Sequence, residues 1–554
     1  MRRRAFRLPL KHFTCFAKNL YFHFMSLGFK YFRLTLTIVV ISIFVFLAYK
    51  GNYYYDEPNE DGYCSIIMRG DFTGTPQTLP NSTGIWIGLT YLLQNLFCHH
   101  PSVDWYGLSL LLAYCLLLIQ IARLFPMLIA GLKKIAGSAG CYLVLGSCAI
   151  LFAQILLLWQ FTTVSLLLSG FSLLKIWLDL RETEKPIFYR RSEYIFNVLC
   201  FVYAACVRSE TAALNMVLWM PLMFSDYAQG RSFKKYAAFI PPVITIIAVS
   251  VFINIPFNGA DSNYLAFRKY QFSFFDFKQP VTTLNLANQQ DSMCYQAIST
   301  AFLSDTAKLN TALFKRIGLL PMDKTPGSIP YYFRNIGAAP GKINKACIKI
   351  ISGSPGLMLF YFFCFFGGLL FVYSFARPKI LWYLFFQLWP VFLVLGVTAF
   401  MKMENRVLVP IIWCALVQNL VWCYFLADDV TRPVVKSNAL AITIFIFALT
   451  PIALDTTKTY NRWKGIKREE IQTDKLVEQI NTRPEKIIAV NDNVCGRLCI
   501  RPFKPRYDFM GKQTVCLNYF QLFWLQGYGP YMQSVCGKVP RMAAALPRVA
   551  ILRR

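Results

Sequence analysis

The sequence predicts an all-α polytopic membrane bundle of about eleven transmembrane helices, carrying a small α/β or mixed domain on its outer side. Three observations lead there. Of 554 residues, 56% are hydrophobic and only 15% are charged, against about 25% charged in a soluble chain. Apolar runs near the ~20 residues that cross a bilayer recur from end to end. The stretches between them alternate in their content of Lys and Arg, as the positive-inside rule requires. A cytosolic enzyme and a disordered protein are both excluded.

The elements follow in order. Residues 1–33 hold Arg2, Arg3, Arg4, Arg7, Lys11, Lys18, Lys30 and Arg33 and no acid. The apolar run 34–49 comes next. A secretory signal would have a shorter arm and a small-residue cleavage site, so the reading is an uncleaved first span with a cytoplasmic amino terminus. Further spans are predicted near 105–121, 141–159, 161–178, 194–207, 211–224 and 237–255, then near 357–375, 380–400, 407–426 and 439–454. The two short pieces at 194–207 and 211–224 also read as one interrupted hairpin.

Loop charge tests this order. The loops assigned inside carry Lys133 and Lys134; Arg181, Lys185, Arg190 and Arg191; Arg231, Lys234 and Lys235; Arg377 and Lys379; Arg432 and Lys436. The first outer loop, 50–106, carries only Lys50 and Arg69 against six acids, Asp56, Glu57, Glu60, Asp61, Asp71 and Asp104. Two long outer segments remain, the loop 256–356 and the tail 455–554. The core is therefore 34–454, and the tail is read as an outer soluble domain with a buried strand at 486–492, sequence KIIAVND. Eight of the 17 cysteines fall outside, an even number that permits disulfides.

The net charge of +29 is then located. Eight positive charges sit in the arm, a net +6 in the loop 256–356 and a net +10 in the tail. This is topology code plus a basic outer surface suited to anionic lipid or lipid phosphate, not a nucleic-acid footprint.

Three segments could carry chemistry. The first is Asp56, Glu57, Glu60 and Asp61, just after the first span emerges. Adjacent carboxylates raise each other's pKa and suit general-base work or a metal. The same stretch also reads as a solvated turn around Pro58 and Asn59. The second is Arg208-Ser209-Glu210, set between apolar runs, where charge is costly and usually faces a cavity or a partner. It also reads as an ion pair capping a tight hairpin. The third is Lys402, Glu404 and Arg406 in a short outer turn, where cations run against the usual bias. A phosphate would compensate them, with Arg as a fork and Lys as a point charge; pairing of Glu404 with its neighbours is the other reading. All three fall on one face of the membrane. For a divalent metal the weak candidates are Glu60, Asp61, His99 and His100; a solvated interfacial pair is the plainer reading of the two histidines.

This layout resembles the GT-C superfamily of integral-membrane glycosyltransferases, and within it the bacterial branch related to protein mannosyltransferases and aminoarabinose transferases. Asp56-Glu57 matches the acidic pair that this superfamily carries in its first outer loop. Arg208-Ser209-Glu210 resembles a mid-chain Arg-x-Glu step, and Glu404-Asn405-Arg406 followed by Pro410 resembles a Glu-Arg turn near the later spans. The extended loop 256–356 departs from many members of the branch. The resemblance implies a polyprenyl-phosphate sugar as donor, a lipid, glycan or protein acceptor, and a bacterial inner membrane with the tail in the periplasm. On that reading Asp56 is the base and Glu57 tunes it. Arg208 and Glu210 orient substrate, and Lys402 and Arg406 neutralise the departing phosphate. Two rivals remain. An O-antigen-type polymerase or ligase would place its arginines in the large loop, at Arg268, Arg316 or Arg334. A flippase or transporter would carry broken spans with charge at mid-membrane.

Overall fold

The computed structural model describes residues 34–56, 61–70, 76, 85–182, 191–228, 237–254, 285–299, 311–317, 339–375, 377–400, 404–426, 438–482, 487–491, 499–504, 514–517 and 549–552. They form a helical bundle with very little sheet. Six helical stretches are long and apolar enough to cross a membrane: Trp105–Ala130, Gly140–Leu157, Phe161–Arg181, Pro355–Ser374, Arg377–Thr398 and Asn405–Trp422. Leu34–Tyr49, Ser192–Val207 and Ala237–Ser250 are shorter apolar helices.

The first helix, α1 (Leu34–Tyr49), ends at Gly51. Gly51 holds φ at +71°, and a Cβ there would lie 2.5 Å from the Arg501 guanidinium. After it come β1 (Tyr54–Tyr55), α2 (Tyr63–Arg69) and α3 (Ile87–His99). Next comes α4 (Trp105–Leu157), assigned as one helical element. It is nevertheless a hairpin. The Cys141 Sγ lies 3.7 Å from the Ile129 carbonyl, and the Trp159 ring sits 5.1 Å from Tyr114. Forty-five residues of straight helix would separate that second pair by about 65 Å. The turn falls between the apolar stretches Trp105–Ala130 and Gly140–Leu157. Asp104 starts the helix by accepting the Gly107 N–H at 3.0 Å.

β2 (Leu158–Trp159) pairs with β1 in parallel, Tyr54 opposite Leu158 and Tyr55 opposite Trp159. α5 (Phe161–Glu182) follows and is buried nearly throughout by α4, α6 (Arg191–Val207), α7 (Ser209–Ala228) and α14 (Asn405–Leu426). Its sequence explains how. Ser165, Ser169, Gly170 and Ser172 are small, so neighbouring backbones approach closely. The hydroxyls are satisfied locally: Ser169 donates to the Ser165 carbonyl at 2.7 Å and Ser172 to the Leu168 carbonyl at 2.7 Å. Only Arg208 separates α6 from α7. Ser165 contacts both helices beside that break, at the Ala204 carbonyl and the Thr211 hydroxyl. Farther down α5, Asn197 reaches Asp179 and Asn215 reaches Ser169. The pair is thus a hairpin of two helices laid along α5.

The remaining helices are α8 (Ile240–Asn254), α9 (Gln289–Ser299), α10 (Thr311–Arg316), α11 (Ala339–Gly353), α12 (Pro355–Phe375), α13 (Ile380–Phe400) and α15 (Asn438–Asn481). One contiguous apolar core runs from α1 to α15. The predicted boundary at 454/455 falls inside α15, which continues through it for another 27 residues to Asn481. Beyond lies a parallel three-stranded sheet, order β4-β3-β5, from β3 (Ile487–Asn491), β4 (Thr514–Leu517) and β5 (Val549–Leu552). The predicted strand 486–492 is thus its central strand. Of the cysteines predicted to lie outside, Cys64, Cys98, Cys294 and Cys347 are free thiols. Cys495 and Cys536 lie outside the described residues.

Candidate active site

The site is built on residues 158–163, where α4 hands over to α5. Gln160 starts α5 by accepting the Thr163 N–H on its side-chain oxygen at 2.8 Å. Its own N–H donates to the Tyr114 hydroxyl at 3.1 Å. Trp159 stacks against Phe44 of α1, at 5.7 Å, and Tyr53, at 5.6 Å, and those two rings lie 5.0 Å from each other, so the three form one cluster. These rings fix the junction against the first helix.

The three charged segments meet this junction from different directions. Asp56 donates its N–H to the Trp159 carbonyl at 2.8 Å. Asp61 is fully buried and accepts the Phe161 N–H at 3.2 Å and the Tyr106 hydroxyl at 3.0 Å. Arg208 donates to the Thr162 hydroxyl at 2.8 Å, and its guanidinium lies over the Phe161 ring at 5.2 Å. Thr163 donates its hydroxyl to the Arg406 carbonyl at 3.2 Å. Four contacts within five residues, at Trp159, Phe161, Thr162 and Thr163, therefore collect segments more than 300 residues apart in sequence. Glu404 opens α14, its carbonyl accepting the Val407 and Leu408 N–H groups at 3.0 and 3.1 Å.

Electrostatics tie two of the segments together. Cys64 of α2 is buried, and its thiol pKa is pushed well above the usual range, first by burial and then by the Asp61 carboxylate. The Arg208 charge pulls it the other way. Arg208 also pairs with Glu210 at 3.6 Å, with Glu210 much the more exposed partner.

Asp56 has a partner that sequence did not point to. Arg462, from the part of α15 beyond the apolar run, donates to the Asp56 carbonyl at 2.7 Å and pairs with its carboxylate at 2.9 Å. Asp56 keeps about a quarter of its side chain exposed, and Arg462 half. The loop is held further by Tyr54, whose hydroxyl donates to Glu470 at 3.0 Å, and by Arg501, which pairs with Glu470 at 2.7 Å. Asp104 accepts the Phe503 N–H at 2.9 Å, and Arg69 donates to the Lys504 carbonyl at 3.0 Å. Tyr54, Tyr55, Arg69 and Asp104 are thus packed with the C-terminal part of α15 and the segment 499–504 into one unit beside the junction. Tyr55 is enclosed within it, and burial together with Asp104 holds its phenol well above the ordinary pKa.

Other predicted residues stand apart or lie beyond the described chain. Glu57, Glu60 and Lys402 lie outside the described residues, as do Arg268 and Arg334. Arg316 is engaged locally with buried Asp291 at 2.5 Å. His99 and His100 are exposed at the end of α3; the His99 ring nitrogen binds the Asn95 carbonyl at 2.7 Å, and the His100 carbonyl accepts the Trp105 indole N–H at 3.0 Å. Among the described residues no group of three His, Cys, Asp or Glu side chains is placed to hold a metal ion. Residues missed by sequence reading are Gln160, Thr162, Thr163, Tyr106 and Arg462. The signal for the first three was present, a polar Gln-Phe-Thr-Thr step between two apolar runs with no loop between them.

Compared with protein-family models, curated proteins and solved structures, the chain matches none.

Proposed function

We propose that this chain is a membrane glycosyltransferase that moves a sugar from a polyprenyl-phosphate donor to a lipid, glycan or protein acceptor at the outer face of a bacterial inner membrane. On this reading all eleven predicted spans cross, and the tail packs over the first outer loop on the periplasmic side. The observation that carries the proposal is the convergence on residues 159–163: a carboxylate segment, an arginine and a second cationic turn meet at one end of an apolar bundle. Sugar transfer from a lipid phosphate needs that combination.

The chemistry is a single displacement. An acceptor oxygen forms a bond to the anomeric carbon as the carbon–oxygen bond to phosphate breaks, inverting the centre. The acceptor proton passes to the Asp56 carboxylate, and the bonding pair leaves with the polyprenyl phosphate. Arg462 aims the Asp56 carboxylate through its two contacts. Negative charge builds on the departing phosphate, and Arg406 with Lys402 lowers the barrier by meeting it. Arg208 and Glu210 orient the sugar. Asp61, bonded by Tyr106 and Phe161, holds the start of α5 in place beneath them.

The test is transfer of labelled sugar by full-length protein in proteoliposomes. A general base contributes about 10²–10⁴-fold, so Asp56→Asn is expected to lose at least about a hundredfold in turnover with normal expression. Near-wild-type turnover sinks the assignment.

A further inference from the structure

The strand that carries Asp56 is held along both of its edges. Successive N–H groups of a strand point to opposite sides. The Asp56 N–H accordingly donates to the Trp159 carbonyl at 2.8 Å, on the junction side, and the Tyr55 N–H to the Ile500 carbonyl at 3.0 Å, on the side of the tail. Tyr54 is buried in a small apolar cluster with Ile466, Ile500, Leu158 and Trp463. Its hydroxyl leaves that cluster to donate to Glu470 at 3.0 Å. Burial, and after it the Glu470 carboxylate, keep the phenol protonated far above the ordinary tyrosine range, so the hydroxyl is a constant donor.

Glu470 is itself fixed. Arg501 pairs with it at 2.7 Å and Lys504 at 3.7 Å, and its side chain is only 12% exposed. Lys504 is nearly enclosed and pairs with Asp474, one turn farther along α15, at 2.9 Å. Between those two cations Phe503 holds φ at +60°. A residue with a Cβ keeps that left-handed conformation only where its surroundings impose it; here its N–H is bound by Asp104 at 2.9 Å. Segment 499–504 is thus fastened at Arg501, Phe503 and Lys504. α15 therefore acts on Asp56 twice. Arg462 touches it directly. Glu470 lies eight residues farther on, about 12 Å along the axis, and reaches it through Tyr54.

We propose that Glu470 is a positioning residue for Asp56: through the Tyr54 hydroxyl it sets where β1 lies, and so where the Asp56 carboxylate stands against Arg462. This rests on the reading of Asp56 as the general base. It also gives the C-terminal tail a part in the site, because Arg501 and Lys504 orient Glu470.

The experiment uses full-length protein in proteoliposomes, with Tyr54→Phe, Glu470→Met and the double variant, read by steady-state transfer and by hydrogen exchange. Tyr54→Phe keeps the ring in its cluster and removes only the hydroxyl. A misplacement of about 1 Å can cost about a hundredfold in rate. A loop still held by Arg462 and Trp159 moves less, so kcat is expected to fall about tenfold in Tyr54→Phe, with KM for donor and acceptor within about twofold of wild type. Exchange at the Asp56 N–H should quicken. Because both residues act along one path, the double variant should be no slower than Glu470→Met alone. Wild-type kcat in Tyr54→Phe overturns the proposal. So does unchanged Asp56 exchange, a raised KM at constant kcat, or losses that multiply in the double variant. If wild type transfers no sugar, the enzyme reading fails by itself, and the exchange arm still decides whether Glu470 sets Asp56 through Tyr54.

Discussion

The two ends of α5 handle charge differently. At the Glu182 end, Arg123 of α4 donates to the Asn197 side chain of α6 at 2.5 Å and pairs with Glu193 at 3.7 Å. Asn197 donates to Asp179 at 3.2 Å, and Lys175 pairs with Asp179 at 2.7 Å. Gln120 joins in through Asn197 at 3.1 Å and Ser172 at 3.4 Å. Three helices are clasped by side chains that bond one another, with Lys175 and Asp179 each only 13% exposed. At the Phe161 end, about 24 Å away along the helix from Thr163 to Asp179, the pattern changes. The charged segments are held largely through backbone groups and hydroxyls, and Asp56, Arg208, Glu210 and Arg462 keep part of each side chain exposed. A clasp built for stability uses its charges on itself. The other end positions its charges and leaves them accessible, as a site must.

That contrast is sharpest in a pair of substitutions. Asp179→Ala removes the acceptor for Lys175 and Asn197 in a nearly closed setting, where breaking one partner of a buried pair costs about 3–5 kcal/mol. A large fall in melting temperature is expected, with transfer activity per folded molecule little changed. Arg208→Ala should do the reverse. Only its ion pair reaches well into solvent, through Glu210, which is 62% exposed, so stability should fall by about 1.5–3 kcal/mol for the lost hydrogen bond, less than for Asp179→Ala, while turnover drops about a hundredfold. If Arg208→Ala unfolds the protein and Asp179→Ala abolishes the proposed transfer in the folded protein, the two ends have been assigned the wrong way round.

A smaller effect tests how the accessible end is aimed. Thr162→Val keeps the shape but removes the hydroxyl that accepts from Arg208 at 2.8 Å. Hydrogen bonds to charged groups are worth about 1.5–3 kcal/mol, so a roughly tenfold loss in kcat/KM is expected, and Thr162→Ser should restore most of it. Failure of serine to rescue would mean that the Thr162 methyl packing, and not its oxygen, sets the position of Arg208.

Much of this arrangement was legible in the sequence because hydropathy and charge act locally. The apolar runs that became α5, α12, α13 and α14 announce themselves by length, and the turn within α4 follows from where the run breaks. The strand at Ile487–Asn491 was legible for the same reason, as a short apolar stretch ending in turn residues. What brings Asp56 to Arg462, or Thr163 to Arg406, is tertiary. Those pairs are separated by 406 and 243 residues, and no local pattern encodes which helix ends meet. The sequence reading therefore placed the charged segments on one side without finding the Gln160–Thr163 junction that joins them. It also closed the membrane part at 454, because hydropathy falls there, although the helix itself continues and brings Arg462 to the site.

The smallest effect concerns that same upper unit. Gly51 sits where α1 gives way to the acidic loop, with φ at +71° and the Arg501 guanidinium 2.5 Å from where a Cβ would be. A left-handed conformation costs a residue with a Cβ roughly 1–2 kcal/mol, and here the arginine must also shift. Arg501 holds Glu470, which in turn accepts the Tyr54 hydroxyl. Gly51→Ala should therefore loosen segment 499–504 and the Tyr54 strand together, by about 1 kcal/mol, while the clasp around Asp179 is untouched. Hydrogen exchange reads this directly: faster exchange at the Tyr55 N–H, which donates to the Ile500 carbonyl at 3.0 Å, with no change along the Glu182 end of α5. Uniformly faster exchange at both ends would mean that the bundle opens as one cooperative unit and that the difference between its ends is one of exposure alone.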